Sequence, residues 1–363
     1  MASKARVLLV GSGGIGTIAA LNLEHGNLAQ VSCVLRSNYT AAMQRGFEIA
    51  SSEHGHIQSW RPTEILNAVP HFHGNGDRLF DYIVICTKNV PDVGPSLYEI
   101  IGPAVTPRHT VIVLIQNGLN IERPFLLCFP DNIILSGVSR IDAHEVSPGV
   151  IEQKQKDNLH IGAFHNPQLD SDKQRRAAEE FVKIYSAGGN TTCLHEPDVA
   201  RDRWSKLVYN ATWNPICALT GINTGDLHLT NCVIDDLLYP AMKEVLKISQ
   251  ARGCLLPMTI IDETIHCDPV EENVTPSMQK DVEKVLIHGR LIKQLLQGNF
   301  IEHENILGEV IREARAAGVA TPILSTLYAL CSGIQWKTKK AKGLLDLARN
   351  PDPIYLDRSR IRN

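Results

Sequence analysis

The chain lacks paired cysteines, long apolar runs and a strong charge of either sign, and each absence removes a class of protein. Its nine cysteines, at positions 33, 86, 128, 193, 217, 232, 254, 267 and 331, stand singly with no Cys-x-x-Cys pair. That spacing argues against zinc and against a disulfide frame, and it fits reduced thiols in a cytoplasmic protein. No apolar run approaches the roughly 18 residues of a membrane-spanning helix, so no membrane partner is expected. The net charge of -3 leaves no basic footprint for nucleic acid. Only five residues precede the first apolar strand, which leaves no room for a leader and again points to the cytoplasm. His54, His56, His71 and His73 have strand-like alternate spacing without a nearby cysteine or carboxylate cluster, so they read as exposed loop or edge-strand residues and no metal is expected.

What is present is an ordinary globular composition, 44% hydrophobic and 21% charged over 363 residues, long enough for two domains with separate cores. The apolar run Arg6-Val7-Leu8-Leu9-Val10 leads into Gly11-Ser12-Gly13-Gly14-Ile15-Gly16. Glycines at 11, 13 and 16 permit a tight turn, close backbone approach to a pyrophosphate, and close packing of the next helix on the strand. That helix, Ile15 to Glu24, aims its free N–H groups at phosphates. A second strand, Gln30 to Leu35, ends at Arg36, twenty residues after Gly16. An acid there would suit the ribose hydroxyl of NAD, whereas an arginine meets a 2′-phosphate, so NADP(H) is the expected cofactor.

Residues 46–81 look irregular. The strand Tyr82-Ile83-Val84-Ile85-Cys86 then ends in Thr87-Lys88-Asn89, and Thr110 to Ile115 ends in Gln116-Asn117-Gly118. Lys88 and Asn117 thus stand beyond the carboxyl ends of buried strands, where open α/β sheets bind ligands, although both are also ordinary turn residues. Short alternating runs across 137–164 predict an antiparallel meander finishing the sheet, and Asp172 to Ala187 a helix packed back on it.

Beyond Pro197 helical periodicity takes over, so residues 1–196 are expected to form one domain and 197–363 an all-α second domain. Its first helix should carry Lys206, Asn210 and Asn214 at four-residue spacing, lining one face with a proton donor and two amides. Pro215 places a kink or break near Asn214. Ser277 follows Pro276 with an exposed hydroxyl near a helix start, which suits a carboxylate ligand and equally an N-cap.

In this order, Gly11 to Gly16, Arg36, Thr87-Lys88, Gln116-Asn117-Gly118, Trp204-Ser205-Lys206 through Asn214-Pro215, Pro276-Ser277-Met278, and Glu302 six residues before Gly308 resemble the ketopantoate reductase (2-dehydropantoate 2-reductase) family over nearly the whole chain. The resemblance implies an N-terminal Rossmann-type domain and a C-terminal domain like that of 6-phosphogluconate dehydrogenase, with NADPH in the cleft between them. It implies Lys206 as general acid, Glu302 as its partner, Asn210, Asn214 and Ser277 as substrate contacts, and Lys88 and Asn117 near the nicotinamide. It implies cofactor contacts along Gly11, Ser12, Gly13, Gly14, Ile15 and Gly16 and at Arg36, a small 2-oxo acid or ketone as partner, and pantothenate synthesis as the process served. A homodimer is one assembly open to it. Glu302 is expected to orient Lys206.

Two departures fall on the substrate side. Val274 stands where the family often has Asn, with Asn273 one place earlier, and about a dozen extra residues separate Ser277 from Glu302, with apolar residues at 282, 285, 286, 291 and 295. They favour, as an alternative, a reductase of another 2-oxo acid or ketone. A non-catalytic NADP(H) sensor is the remaining reading, against which Lys206 and Glu302 both argue.

Overall fold

Short apolar runs alternating with turn residues and amphipathic stretches dictate the first half. The computed structural model describes residues 3–71, 79–230, 232–283 and 299–345. His73, the apolar positions 285–295 and the end of the basic tail lie outside the described residues. The chain runs through β1 (Ala5–Val10), α1 (Gly14–His25), β2 (Ala29–Val34), α2 (Tyr39–Arg45), β3 (Phe47–Ser51), β4 (Gly55–Trp60), β5 (Glu64–Leu66) and β6 (Tyr82–Ile85). It continues with α3 (Leu97–Ile101), β7 (Val111–Leu114), α4 (Arg123–Cys128), β8 (Ile134–Ser139), β9 (Asp142–Ser147), β10 (Val150–Gln155), β11 (Asn158–Ala163), α5 (Ser171–Ser186) and β12 (Thr192–His195).

The main sheet has eight strands in the order β12-β11-β8-β7-β6-β1-β2-β5. It is parallel from β5 to β8, while β11 runs antiparallel to β8 and carries β12 parallel to itself. Strands buried on both faces need continuous apolar runs, and β6 and β7 supply them. One apolar cluster lies under α1 and α5 and a second lies on the opposite face under α3 and α4.

The expected meander forms differently. Only β8 and β11 belong to the main sheet; β9 and β10 leave it and join β3 and β4 in a separate sheet of order β4-β3-β10-β9. The stretch read as irregular therefore contains three strands. Alternating polar residues in these strands allow one face to pack on α1 and the other to meet water, a pattern that does not specify which strand is the partner. His54 is not a free loop residue: it is half-buried, with its Nε2 2.7 Å from Asn22 Oδ1 and its Nδ1 3.1 Å from Asn190 Nδ2.

After β12 come α6 (Val199–Asn210), α7 (Trp213–Thr220), α8 (Thr224–His228), α9 (Tyr239–Ala251), α10 (Thr259–Ile265), α11 (Ser277–Glu283), α12 (Glu309–Ala316) and α13 (Pro322–Ala341), around a third apolar cluster centred on Trp213 and Met242. The α/β and all-α halves agree with the expected fold class. The helix break falls earlier than Pro215 suggests. α6 ends at Asn210, and Pro215 sits in the first turn of α7, where its missing N–H costs no hydrogen bond. Among the described residues no helix is long and apolar enough to cross a membrane.

What fixes α6 to the sheet is Arg203. Its NH1 donates to the carbonyls of Gln116 (3.0 Å) and Gly118 (2.9 Å), its NH2 to Ser136 Oγ (2.7 Å) and Gly137 O (3.1 Å), and its Nε lies 3.0 Å from Glu122 Oε1. Both partners of this ion pair are buried. Arg203→Met should lower stability by about 3–5 kcal/mol because Glu122 is left as an unpaired buried charge, whereas Arg203→Met with Glu122→Leu should cost clearly less than the sum of the single changes. Urea unfolding of the three variants checks this, and additive losses would remove the buried-charge account.

Candidate active site

The first part of the site is the turn after β1. Gly11 has φ +100, and a Cβ there would lie 2.6 Å from Thr87 N, so only glycine fits. A Cβ on Gly16 would fall 1.9 Å from Gly11 O, and one on Gly14 would fall 2.3 Å from Ala143 O in β9. Gly13, in contrast, faces open space. The turn is thus closed against protein on three glycines and open on the fourth, at the start of α1, where N–H groups lack a side-chain cap. That cradle fits a pyrophosphate. Arg36 is exposed in the turn after β2, and Asn38 ties that turn to the cradle by donating to Ser12 O at 2.7 Å. Ile15, in the first turn of α1, is partly buried.

The second part lies at the carboxyl ends of β6 and β7. Gln116 Nε2 donates to Thr87 O at 2.6 Å and locks the two loops together. Lys206 reaches this edge from α6, donating to Asn117 Oδ1 at 2.8 Å and to the carbonyl of Ser139. Asn117 Nδ2 in turn lies 3.4 Å from Glu302 Oε2, while Glu302 Oε1 accepts from Asn89 N at 2.9 Å. Glu302, the partner expected for Lys206, therefore connects to it through Asn117. Glu302 sits just before a π-helical turn, Glu304–Gly308, an irregularity common near functional sites.

Electrostatics set the two charges in opposite directions. Burial pushes the Lys206 ammonium down to about 8, helped by the Arg140 and Arg203 guanidiniums and opposed by Glu302 and Asp202. Burial raises Glu302, and Asp281 adds to the rise, while Lys88 and the Asn89 N–H work against it. A lysine near neutrality is poised to give up a proton.

The remaining predicted residues distribute as follows. Asn210 lines the same small cavity as Asn117 and Lys206. Asn214 Nδ2 lies 3.3 Å from Asn210 Oδ1, so the stripe survives the helix break, and Asn214 Oδ1 is buried without a hydrogen-bond partner among the described residues. Such an orphaned acceptor marks a place for a ligand donor. Ser277 begins α11 and is exposed. Lys88 is turned to Asp281 of α11 in an ion pair. Asn273 pairs with Asp226, donating at 3.0 Å, and so leaves the Val274 position without an amide. Asp281, Asn89, Ser139, Arg203 and Asn305 all shape the site yet escaped sequence reading. Only Arg203, at three residues from Lys206 on one helix, carried a local signal.

A nucleotide cradle on a parallel sheet, joined to a helical domain that supplies a lysine of lowered pKa, defines the class as a two-domain oxidoreductase. Two family models match the chain, "Ketopantoate reductase PanE/ApbA" over residues 7–166 and "Ketopantoate reductase PanE/ApbA C terminal" over 198–335. The chain belongs to the ketopantoate reductase family. It is 35% identical to the uncharacterized protein YDL144C of Saccharomyces cerevisiae, over 94% of this chain and 96% of that one. Among solved structures it is similar to 2-dehydropantoate 2-reductase from Methylococcus capsulatus, at 27% identity and TM-score 0.70, covering 92% of this chain and 97% of that one. The ternary structure of D-mandelate dehydrogenase with NADH and anilino(oxo)acetate shares the fold, at 17% identity and TM-score 0.73, covering 92% and 99%.

The Lys206 ammonium should titrate near pH 8. Reductive methylation followed by NMR pH titration measures it, and Glu302→Gln should move the value down, since a carboxylate that favours the charged form is lost. A Lys206 titration above pH 10 in the native protein would contradict the burial described here.

Proposed function

We propose that the protein reduces a 2-oxo acid with NADPH, with ketopantoate as the leading substrate and pantoate as product. The observation that carries this reading is the hydrogen-bonded series Lys206, Asn117, Glu302 at the carboxyl edge of β6 and β7. NADPH, when bound, supplies a hydride to the keto carbon. The glycine cradle at 11–16 would hold its pyrophosphate and Arg36 its 2′-phosphate, with Lys88 and Asn117 bordering the nicotinamide end. Lys206 faces the carbonyl oxygen, stabilises the charge gathering there and donates the proton. Glu302, acting through Asn117, orients that donor, and Asn210, Asn214 and Ser277 hold the acid. Buried amides suit this task because they are already paid for in position by the helices that carry them.

A second reading keeps the cofactor and Lys206 but changes the carbonyl compound. It is favoured by Asn273, whose amide is spent on Asp226 and is not offered to a substrate.

NADPH oxidation by purified protein with ketopantoate, beside a panel of other 2-oxo acids and ketones, tests the proposal. A kcat/KM for ketopantoate well above the rest supports it; a different best substrate moves the assignment to the second reading, and a wholly inactive panel leaves a cofactor-binding protein. Lys206→Ala should lower kcat by roughly 10²- to 10⁴-fold with little change in NADPH affinity. Because the ammonium is the proton donor and its value is about 8, reduction should be level below that pH and fall above it, and the reverse oxidation should rise there. Arg36→Asp should shift preference from NADPH toward NADH; an unchanged ratio would place 2′-phosphate recognition elsewhere.

A further inference from the structure

Lys280 lies in α11, one helical turn after Ser277 and next to Asp281. Its ammonium sits 3.2 Å from Asp142 Oδ1 and 2.8 Å from His144 Nε2, both in β9, and His144 Nε2 is itself 2.8 Å from Asp142 Oδ1. One ring nitrogen cannot both accept from Lys280 and donate to Asp142. Asp142 therefore has two alternative donors, and Lys280 can leave while His144 keeps the carboxylate paired. Lys280 and His144 are both only partly buried.

The place matters as much as the partners. Ser139, whose carbonyl receives Lys206, ends β8, and Asp142 begins β9, with only Arg140 and Ile141 between. The Cα atoms of the two anchoring residues are thus at most roughly 11 Å apart along one short connection. A 2-oxo acid needs a charge for its carboxylate close to the donor at its keto oxygen. The other described cations around this edge are committed: Lys88 to Asp281, both terminal nitrogens of Arg140 to Asp202, and Arg203 to buried Glu122. Ser277 offers a hydroxyl but no charge.

We infer that Lys280 exchanges Asp142 for the substrate carboxylate and is the specificity-determining cation that makes this site select 2-oxo acids over neutral ketones. The inference rests on the 2-oxo acid reading above. Ser277 and Lys280, neighbours on one helix surface, then hold the acid together, and the exchange conserves the number of ion pairs on Lys280.

The test compares the 2-oxo acid of highest kcat/KM in the panel with its own methyl ester. Lys280→Met should raise KM for the acid at least 10-fold, leave KM for the ester and for NADPH unchanged, and change kcat little; Lys280→Arg should recover most of the loss. Fluorescence titration of the acid into the protein saturated with NADP+ should show the same weakening, independent of turnover. An acid KM within twofold of the parent in Lys280→Met, or equal losses for acid and ester, overturns the inference while leaving the 2-oxo acid reading intact. Parent protein that reduces ketones but no 2-oxo acid overturns both.

Discussion

A buried guanidinium holds the two halves of this protein in register. Arg203 spends its donors on the carbonyls after β7, on Ser136 and Gly137 in β8, and on Glu122. Such a pair contributes little net stability, because desolvation offsets most of the attraction, but any shift of α6 along the sheet would leave several buried groups unpaired. Lys206, three residues further along α6, inherits that placement. Its contacts with Asn117 and Ser139 follow from a helix that cannot slide.

The amide between Lys206 and Glu302 has a physical use. A carboxylate in direct contact would favour the ammonium and raise its pKa, making it a poorer acid. Asn117 places one amide between the carboxylate and the ammonium, and Arg140 and Arg203 push the pKa the other way. Burial, two cations and a screened anion together leave the proton loosely held. The arrangement combines residues at the ends of β6, β7 and β8, in α6 and just before the π turn Glu304–Gly308.

The second sheet extends this logic to the far wall. By leaving the main sheet, β9 brings Ala143 against Gly14 and His144 against Lys280, so one strand touches both the nucleotide cradle and α11. α11 is held from two sides, through Lys280 to β9 and through Asp281 to Lys88. Asn299 N donates to Asp281 O at 3.2 Å, which ties the start of the stretch leading to Glu302 to α11.

Much of this was legible in the chain itself. The strand, glycine turn and helix at the start follow from local sterics, and the apolar runs of β6 and β7, the helical second half and the spacing of Lys206, Asn210 and Asn214 follow from periodicity, which neighbouring residues encode. Partners distant in the chain were not legible. The alternating strands β3, β4, β9 and β10 carry a period but no address, so the second sheet was missed. Pro215 signals a break, yet packing of Trp213 and Asn214 into the helical core sets it at Ala211 and Thr212. Lys88 and Asp281 are 193 residues apart, and Arg203 and Gln116 87. Sequence by itself determined which residues could do the chemistry, because residue type and short spacing are local properties. Tertiary structure decided which of them meet, because burial of charge and the closing of hydrogen bonds depend on every segment packed around them.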